Sequence, residues 1–403
     1  MASAVSRITI DAPRQESGTV HWEGELSTPS GERHRIYFDF STPDDRPYPL
    51  RSRPFLLAFL VPAMQAGAPL ELQVPVDAVT LGNLMEWQEA MASWRPETLK
   101  VVPLLAPGGG LSQDRDRLGA LTAFSGGVDS NFTAWRNSRD ANPPRFRSTR
   151  LHAGLMIQGF DIPLAQPAVF ERALGRSRAM LAGYGLKAYH LSNNLRLLDK
   201  VPGCDWEKCT HGIWLAASLA CYEPWFSQIL IPSTYHYPVL RFPWGSNPIT
   251  DPLFSSAGTT YWHEGAAYSK LSKMQGIAGL PTVQKYLRVC WEGEQLDRNC
   301  GKCFKCIATQ ICFQLCGIDH PEAFPAPCTI DQVAHMPVKN RPNEWLLRAL
   351  CREAQRQEKH GLARALACTL ARHDSKRSFR KIKKLILRSP SNEYGTHTTP
   401  DLA

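Results

Sequence analysis

The chain has 403 residues, 43% of them hydrophobic and 21% charged, which suits a globular protein of two or three domains. Its net charge of +9 permits an anionic partner such as ATP or a nucleic acid without demanding one. No apolar run reaches the length of a membrane span, and the N-terminal "MASAVSRITIDAPRQ" lacks the apolar core of a signal peptide, so no membrane partner and a cytoplasmic location are expected. In such a compartment the 12 cysteines favour metal ligation or free thiols over disulfides. In chain order, "TVHWEGELS" and "HRIYFDFS" alternate around "TPSGER" and predict a β-hairpin. "FLLAFLVPAMQAG" predicts a buried helix ending on glycine, "LELQVPV" a strand, and "TLGNLMEWQEAMASWRPE" an amphipathic helix opened by a threonine cap. "PGGG" then reads as a linker, so residues 1–117 are expected to form a separate α+β accessory domain, a scaffold or docking surface.

From 118 short buried strands and helices alternate. "GALTAF", "RLHAGLMIQGF", "KAYHLSNN" and "SQILIPST" read as strands, with helices through "SNFTAWRNS", "PAVFERALGRSRAMLAGYGL" and "HGIWLAASLACYEPWF". That alternation predicts an α/β fold with a doubly wound parallel sheet over residues 118–320. Residues 321–403 read as a helical, basic extension ending in a disordered tail.

Two short stretches carry chemistry. "FSGGVDS" joins the first of these strands to a helix. Gly126 and Gly127 are expected to turn with positive φ, letting backbone N–H groups converge on an anion at the helix N-terminus. Ser125 and Ser130 add hydroxyls, Val128 continues the loop into the helix, and Asp129 suits Mg²⁺ or loop orientation. No lysine follows the glycines, so the stretch is not a Walker loop. The second stretch is Cys290, Cys300, Cys303 and Cys306, spaced C-x9-C-x2-C-x2-C. Two x2 arms and one long arm fit a tetrahedral four-thiolate site for zinc, with an iron–sulfur cluster as the alternative. Scattered buried thiols are the bland reading. The other cysteines, Cys312 and Cys316 among them, read as core packing.

"SGGVDS" resembles the PP-loop of the ATP pyrophosphatases, which cleave ATP between the α and β phosphates. Loop and cysteine knuckle together resemble 7-cyano-7-deazaguanine synthase, as do "HGIWLAASLACY", "ILIPSTYHY", "PITDPLFSS" and "GAAYSKLSKMQGIAGLP" between them. The resemblance covers about residues 118–318. It implies ATP, Mg²⁺ and Zn²⁺ as cofactors and a 7-deazaguanine-type small molecule as partner. It also implies adenylation of a carboxylate, followed by formation of an amide or nitrile. Two departures bear on the acceptor. The synthase's Arg-Asn helix start is His211-Gly212 here, and its Pro-Asp-Cys-Arg loop has no match in "YPVLRFPWGSNPITDP". The added length is similar to that of enlarged synthase-like proteins of anti-phage defence, which implies a protein substrate.

Several further residues are weighed against plainer roles. Tyr235, His236 and Trp244 lie in a Pro-rich loop after a strand, where they would stack a planar base or simply pack together. Asp251 reads as a substrate or metal contact, or as a turn residue. His211 reads as a phosphate contact or a cap, and Arg196, near Asn194, as a counter-charge for pyrophosphate. Lys270 and Lys273 read as phosphate contacts or, more plainly, a solvated helix face. Cys204 and Cys209 open a second reading, a sulfur-inserting enzyme acting on RNA or a nucleobase. A third reading is a non-catalytic nucleotide-binding module.

Overall fold

A computed structural model describes residues 5–109, 117–138 and 149–386, with side chains as far as 375. Eleven strands form one mixed, mostly parallel sheet. They are β1 (Ser6–Ile10), β2 (Arg14–Glu16), β3 (Thr19–Ser27), β4 (Arg33–Ser41), β5 (Leu70–Leu72) and β6 (Leu104–Leu105), then β7 (Ala120–Ala123), β8 (Leu151–Gln158), β9 (Lys187–Asn193), β10 (Gln228–Pro232) and β11 (Thr260–Glu264). Eleven α-helices are described: α1 (Arg53–Ala66), α2 (Ala78–Trp94), α3 (Val128–Asn137), α4 (Pro167–Gly183), α5 (His211–Ala220), α6 (Lys270–Ile277), α7 (Pro281–Tyr286), α8 (Phe304–Leu315), α9 (Ile330–Ala334), α10 (Arg341–Arg356) and α11 (His360–Ile386).

The strand order is β11-β10-β7-β8-β9-β4-β3-β1-β5-β6. Its first five members are all parallel. Numbered along the chain they run 5-4-1-2-3, so the winding reverses between β7 and β10. At such a reversal the connections leave in opposite directions and open a crevice at the carboxyl ends of the strands. Helices cover both faces. On β11, Tyr261 donates to Ala216 of α5 while Glu264, three positions further on, accepts from Asn137 of α3. Positions of odd separation on a strand face opposite ways, so α3 and α5 lie on opposite sides.

The expected division near residue 117 is corrected. β4 pairs antiparallel with β9 through Phe38↔Asn193, Asp39↔Ser192 and Phe40↔Leu191, so the N-terminal strands extend the parallel sheet. Trp22, Phe55 and Trp87 share one core with Leu121, Trp214 and Phe226. The compact units divide instead between Pro327 and Cys328. The glycine-rich stretch therefore does not mark the end of a core. The β9 edge, left open, would expose unpaired backbone, and β4 covers it. A buried ion pair adds to the join: Arg53 of α1 binds Glu223 at 2.9 Å, both side chains almost fully buried.

Smaller readings also shift. α2 is capped by Asp77, whose carboxylate accepts from Thr80 N at 3.0 Å, rather than by threonine. "LELQVPV" contributes only Leu70–Leu72, and β11 had no counterpart among the predicted strands. The second unit, described by itself, packs α9, α10 and α11 together, with Arg348 joining Glu344 to Asp374. The expected basic side chains past 375 and the tail lie outside the described residues. Among the described residues no helix is long and apolar enough to cross a membrane.

Candidate functional site

β7 is buried along its whole length and delivers Ser125 to the crevice where the winding reverses. Gly126 turns with φ +77°, whereas Gly127 has φ −83° and ψ −179°. Only the first glycine therefore uses the left-handed region, and the second is an extended N-cap for α3. A Cβ on Gly126 would meet Met180 Cε at 3.2 Å. The loop binds itself closely. Ser125 Oγ accepts from Gly127 N at 3.3 Å and lies 3.5 Å from Ser130 Oγ, and Ser130 donates to Gly127 O at 3.2 Å. Asn131 Nδ2 also donates to Gly127 O, at 2.9 Å, while Tyr184 donates to Asn131 Oδ1. Ser125 stays exposed and Ser130 is buried.

The carboxylate of Asp129 is held by a residue that the sequence left on a solvated face. Lys273 of α6 is buried, with its Nζ 2.6 Å from Asp129 Oδ1, and it donates to Ser233 O and Oγ as well. Ser233 directly follows β10 and Asp129 lies in the first turn of α3, so one ammonium ties the end of β10 to the start of the helix that follows β7. Lys270, at the start of the same helix, is partly exposed.

Arg288 is a second residue that spacing did not reveal. Its backbone N donates to Gly126 O at 2.9 Å and its guanidinium to Ser125 O at 3.3 Å and Leu296 O at 3.0 Å. It stands 3.6 Å from Asp161. Two residues further on is Cys290, so the arm that delivers the first cysteine is also the back wall of the loop.

The four cysteines converge. Their sulfurs lie within 4.8 Å of one another, with Cys300 to Cys306 at 3.8 Å and Cys303 to Cys290 at 3.7 Å. A tetrahedral ion with metal–sulfur bonds of about 2.3 Å requires sulfurs about 3.8 Å apart, far beyond a disulfide bond. The set can thus hold a metal such as zinc. Backbone N–H groups of Cys303 and Glu292 point at Cys300 Sγ and Cys290 Sγ, each at 3.3 Å. Gly301 turns at φ +75° between them. Hydrogen bonding from Cys306 first, then from Cys300 and Cys290, pulls the Cys303 thiol down to about 5, whereas the Cys306 thiol is pushed up by its bond to Cys303 and the Cys290 thiol by burial. Asn299 clamps the two arms: its Nδ2 donates to Leu287 O and Ala323 O, and its Oδ1 accepts from Val289 N. Lys305, inside the knuckle, lies 3.0 Å over the Trp291 ring. Burial and then Lys270 push its pKa down to about 8, against the pull of Asp161 and Asp129. A second cluster, Glu344, His373 and Asp374, already receives the Arg348 guanidinium and reads as an ion-pair network.

Two of the expected substrate residues, Tyr235 and Trp244, join His211 in a chain of rings. Tyr235 and Trp244 have centroids 4.9 Å apart, His211 lies 5.4 Å from Trp244 and 5.7 Å from Trp206, and Phe160 lies 4.9 Å from Trp206. Arg241 covers Trp244 and Arg196 covers Trp206. Arg196 is bound to Asp199, so its charge is already paired. Asn194 does not face the crevice: its side chain bonds the β4 backbone at Tyr37 and Arg35. Burial and then Lys273 push the His236 pKa down. Asp251 is buried with its oxygens taken by Ser246, Asn247 and His263, so it faces inward. Cys204 and Cys209 are buried, and burial raises both thiol pKa values, that of Cys209 to about 12.

No protein-family model, curated protein or solved structure matches the chain. What the fold and site define is therefore a class: an α/β protein with a large, mostly parallel mixed sheet and a four-cysteine cluster behind a glycine-turned loop at the reversal of its winding.

Proposed function

We propose that the protein is an ATP-dependent, AMP-forming ligase of the PP-loop kind. One observation carries this reading: Ser-Gly-Gly-Val-Asp-Ser caps α3 at the carboxyl end of β7, where the winding reverses. There the amide groups at the N-terminus of α3 and the dipole of a ten-residue helix would receive pyrophosphate. Ser125 and Ser130 would add donors, and Lys273 and Arg288 would offset the charge. Asp129 would hold Mg²⁺, which supplies charge neutralisation on the phosphates when bound. The four cysteines would hold zinc as a structural ion that fixes the arm carrying Arg288.

The acceptor would be a carboxylate, in this reading a 7-deazaguanine derivative lying against Tyr235 and Trp244. Adenylation joins its carboxylate oxygen to the α-phosphorus of ATP and expels pyrophosphate. An amine nitrogen then attacks the acyl carbon, loses a proton and expels AMP, leaving an amide. Dehydration of that amide, driven by a second ATP, would give a nitrile. An amine on a protein would make the product a conjugate, as suits anti-phage defence. The sulfur-transfer reading is weakened by the burial of Cys204 and Cys209, since a carrier must be an accessible thiolate. The test is product analysis with radiolabelled ATP: AMP in wild type, and at least about hundredfold less in Asp129→Ala, supports the reading. Equal AMP formation by the variant refutes it.

A further inference from the structure

Beneath the ring chain lies a polar cluster that the ligase reading leaves unused. His263 of β11 sits on the α5 face of the sheet, with its side chain 3% exposed. Its Nδ1 lies 2.7 Å from Asp251 Oδ2, and Ser246 donates to the same oxygen at 2.7 Å. Asp251 Oδ1 accepts from Asn247 N. A carboxylate oxygen accepts, so in the neutral imidazole this contact puts the proton on Nδ1 and leaves Nε2 as a bare lone pair. That Nε2 is buried and has no partner.

Three other buried polar atoms without partners, Thr250 Oγ1, Thr210 Oγ1 and Trp244 Nε1, lie on the segments linked to it through Asp251 and Ser246. The segments that carry them abut. Gly212 and Gly245 approach so closely that a Cβ on Gly212 would stand 1.9 Å from Gly245 O, which places residues 210–212 of the α5 entry against 244–246. Asp251 and His263 both act electrostatically on His211. Each buried orphan costs about 1–3 kcal/mol, so four on these linked segments call for an occupant. One of the four accepts only, one donates only, and the two hydroxyls do either. That pattern fits a ligand edge carrying an N–H beside a carbonyl or ring nitrogen. Trp244, only partly buried, is the side chain whose movement would open the cluster to the ring chain above.

We propose that His263, oriented by Asp251, is the specificity-determining residue of the acceptor pocket, its Nε2 accepting an N–H from a lactam-bearing planar heterocycle. This rests on the ligase reading for the location of the acceptor, but not on the acceptor's identity. Asp251 is then a positioning residue, holding the imidazole in one tautomer.

The test uses full-length protein with ¹⁵N-labelled histidine, its His263 signals assigned from His263→Gln. Guanine, hypoxanthine, uracil and 7-carboxy-7-deazaguanine are titrated separately and the Nε2 resonance is followed. A hydrogen-bond shift of His263 Nε2 with a lactam-bearing probe, about tenfold weaker binding of that probe to His263→Phe, and partial recovery in His263→Gln are expected. ATP binding should stay within about twofold in both variants. Asp251→Asn should weaken the same probe and broaden the Nε2 signal through tautomer exchange. A response to guanine but not to 7-carboxy-7-deazaguanine would support the inference and overturn the proposed acceptor. An Nε2 signal that no probe moves would mean a site filled by buried water, and would overturn the inference whatever the variants do.

Discussion

Asp129 and Lys273 show how one contact changes the meaning of both residues. A lysine on a short helix reads as solvated, yet burial beside Asp129 and Ser233 makes it the tie between the first turn of α3 and the end of β10. Lys273→Met should therefore lower AMP formation by at least about tenfold with little change in acceptor binding, read as separate titrations of ATP and acceptor. At the ring chain, Trp244→Ala should weaken 7-carboxy-7-deazaguanine binding about tenfold to hundredfold by calorimetry, from a stacking loss of about 1–3 kcal/mol, while ATP binding holds. Equal losses for both ligands would point to collapse of the loop. A third prediction concerns pH. His21 lies between Glu23 and Asp39; burial lowers its pKa, but hydrogen bonds to Glu23 and Asp39 outweigh this and raise it above 6.5. A raised folded value means that its stabilisation is fully present below about pH 6.5 and lost as pH rises through the raised value. The urea midpoint should thus drop between pH 6 and pH 8 more in wild type than in His21→Gln, and equal drops would contradict the assignment.

The elements were legible to different degrees, for physical reasons. The strand–loop–helix around Ser125 could be read because a buried strand, a glycine turn and a helix follow one another within a few residues. The knuckle could be read because its three closest ligands lie within seven residues. Arg288 could not, because its partner Ser125 lies 163 residues away, and Asn299 and His263 could not, because each acts through a side-chain contact 12 residues away that no motif spacing marks. Asp251 was picked out, but its partner β11 was not, and an aspartate's role depends on what faces it. At the knuckle itself, the expected outcome is about one metal ion per chain by elemental analysis. Cys303→Ser should lose the metal and melt at lower temperature, because binding the ion contributes to folding. Since Cys290 and Arg288 share an arm, the same variant should also lose AMP formation. A metal-free Cys303→Ser protein with wild-type melting would contradict the structural role.

Across the larger unit, residues 1–327, the N-terminal strands and the parallel sheet share one core, and the sequence hid this behind a glycine-rich stretch. The Arg53 guanidinium is bonded to Glu223, Thr80 and Phe254 O, joining α1 and α2 to the end of α5 and the segment before β11. Arg53→Ala would strand the Glu223 charge in a dry core and should cost about 3–5 kcal/mol, read as an equilibrium unfolding curve. Arg53→Met with Glu223→Leu should recover most of that loss. A single cooperative transition is expected for this unit, whereas two separated transitions would restore a domain boundary near 117. The proposed function rests on a fold that brings a glycine-turned loop, the arm carrying the four-cysteine cluster and a chain of aromatic rings to the strand ends where the winding reverses. The most direct test of that account is to incubate the protein with α-³²P-labelled ATP, Mg²⁺, 7-carboxy-7-deazaguanine and ammonium, and to resolve the nucleotide products. Labelled AMP that appears only with the carboxylate present, in equal amount to pyrophosphate, is the predicted result; labelled ADP, or no AMP under any of these conditions, would contradict it.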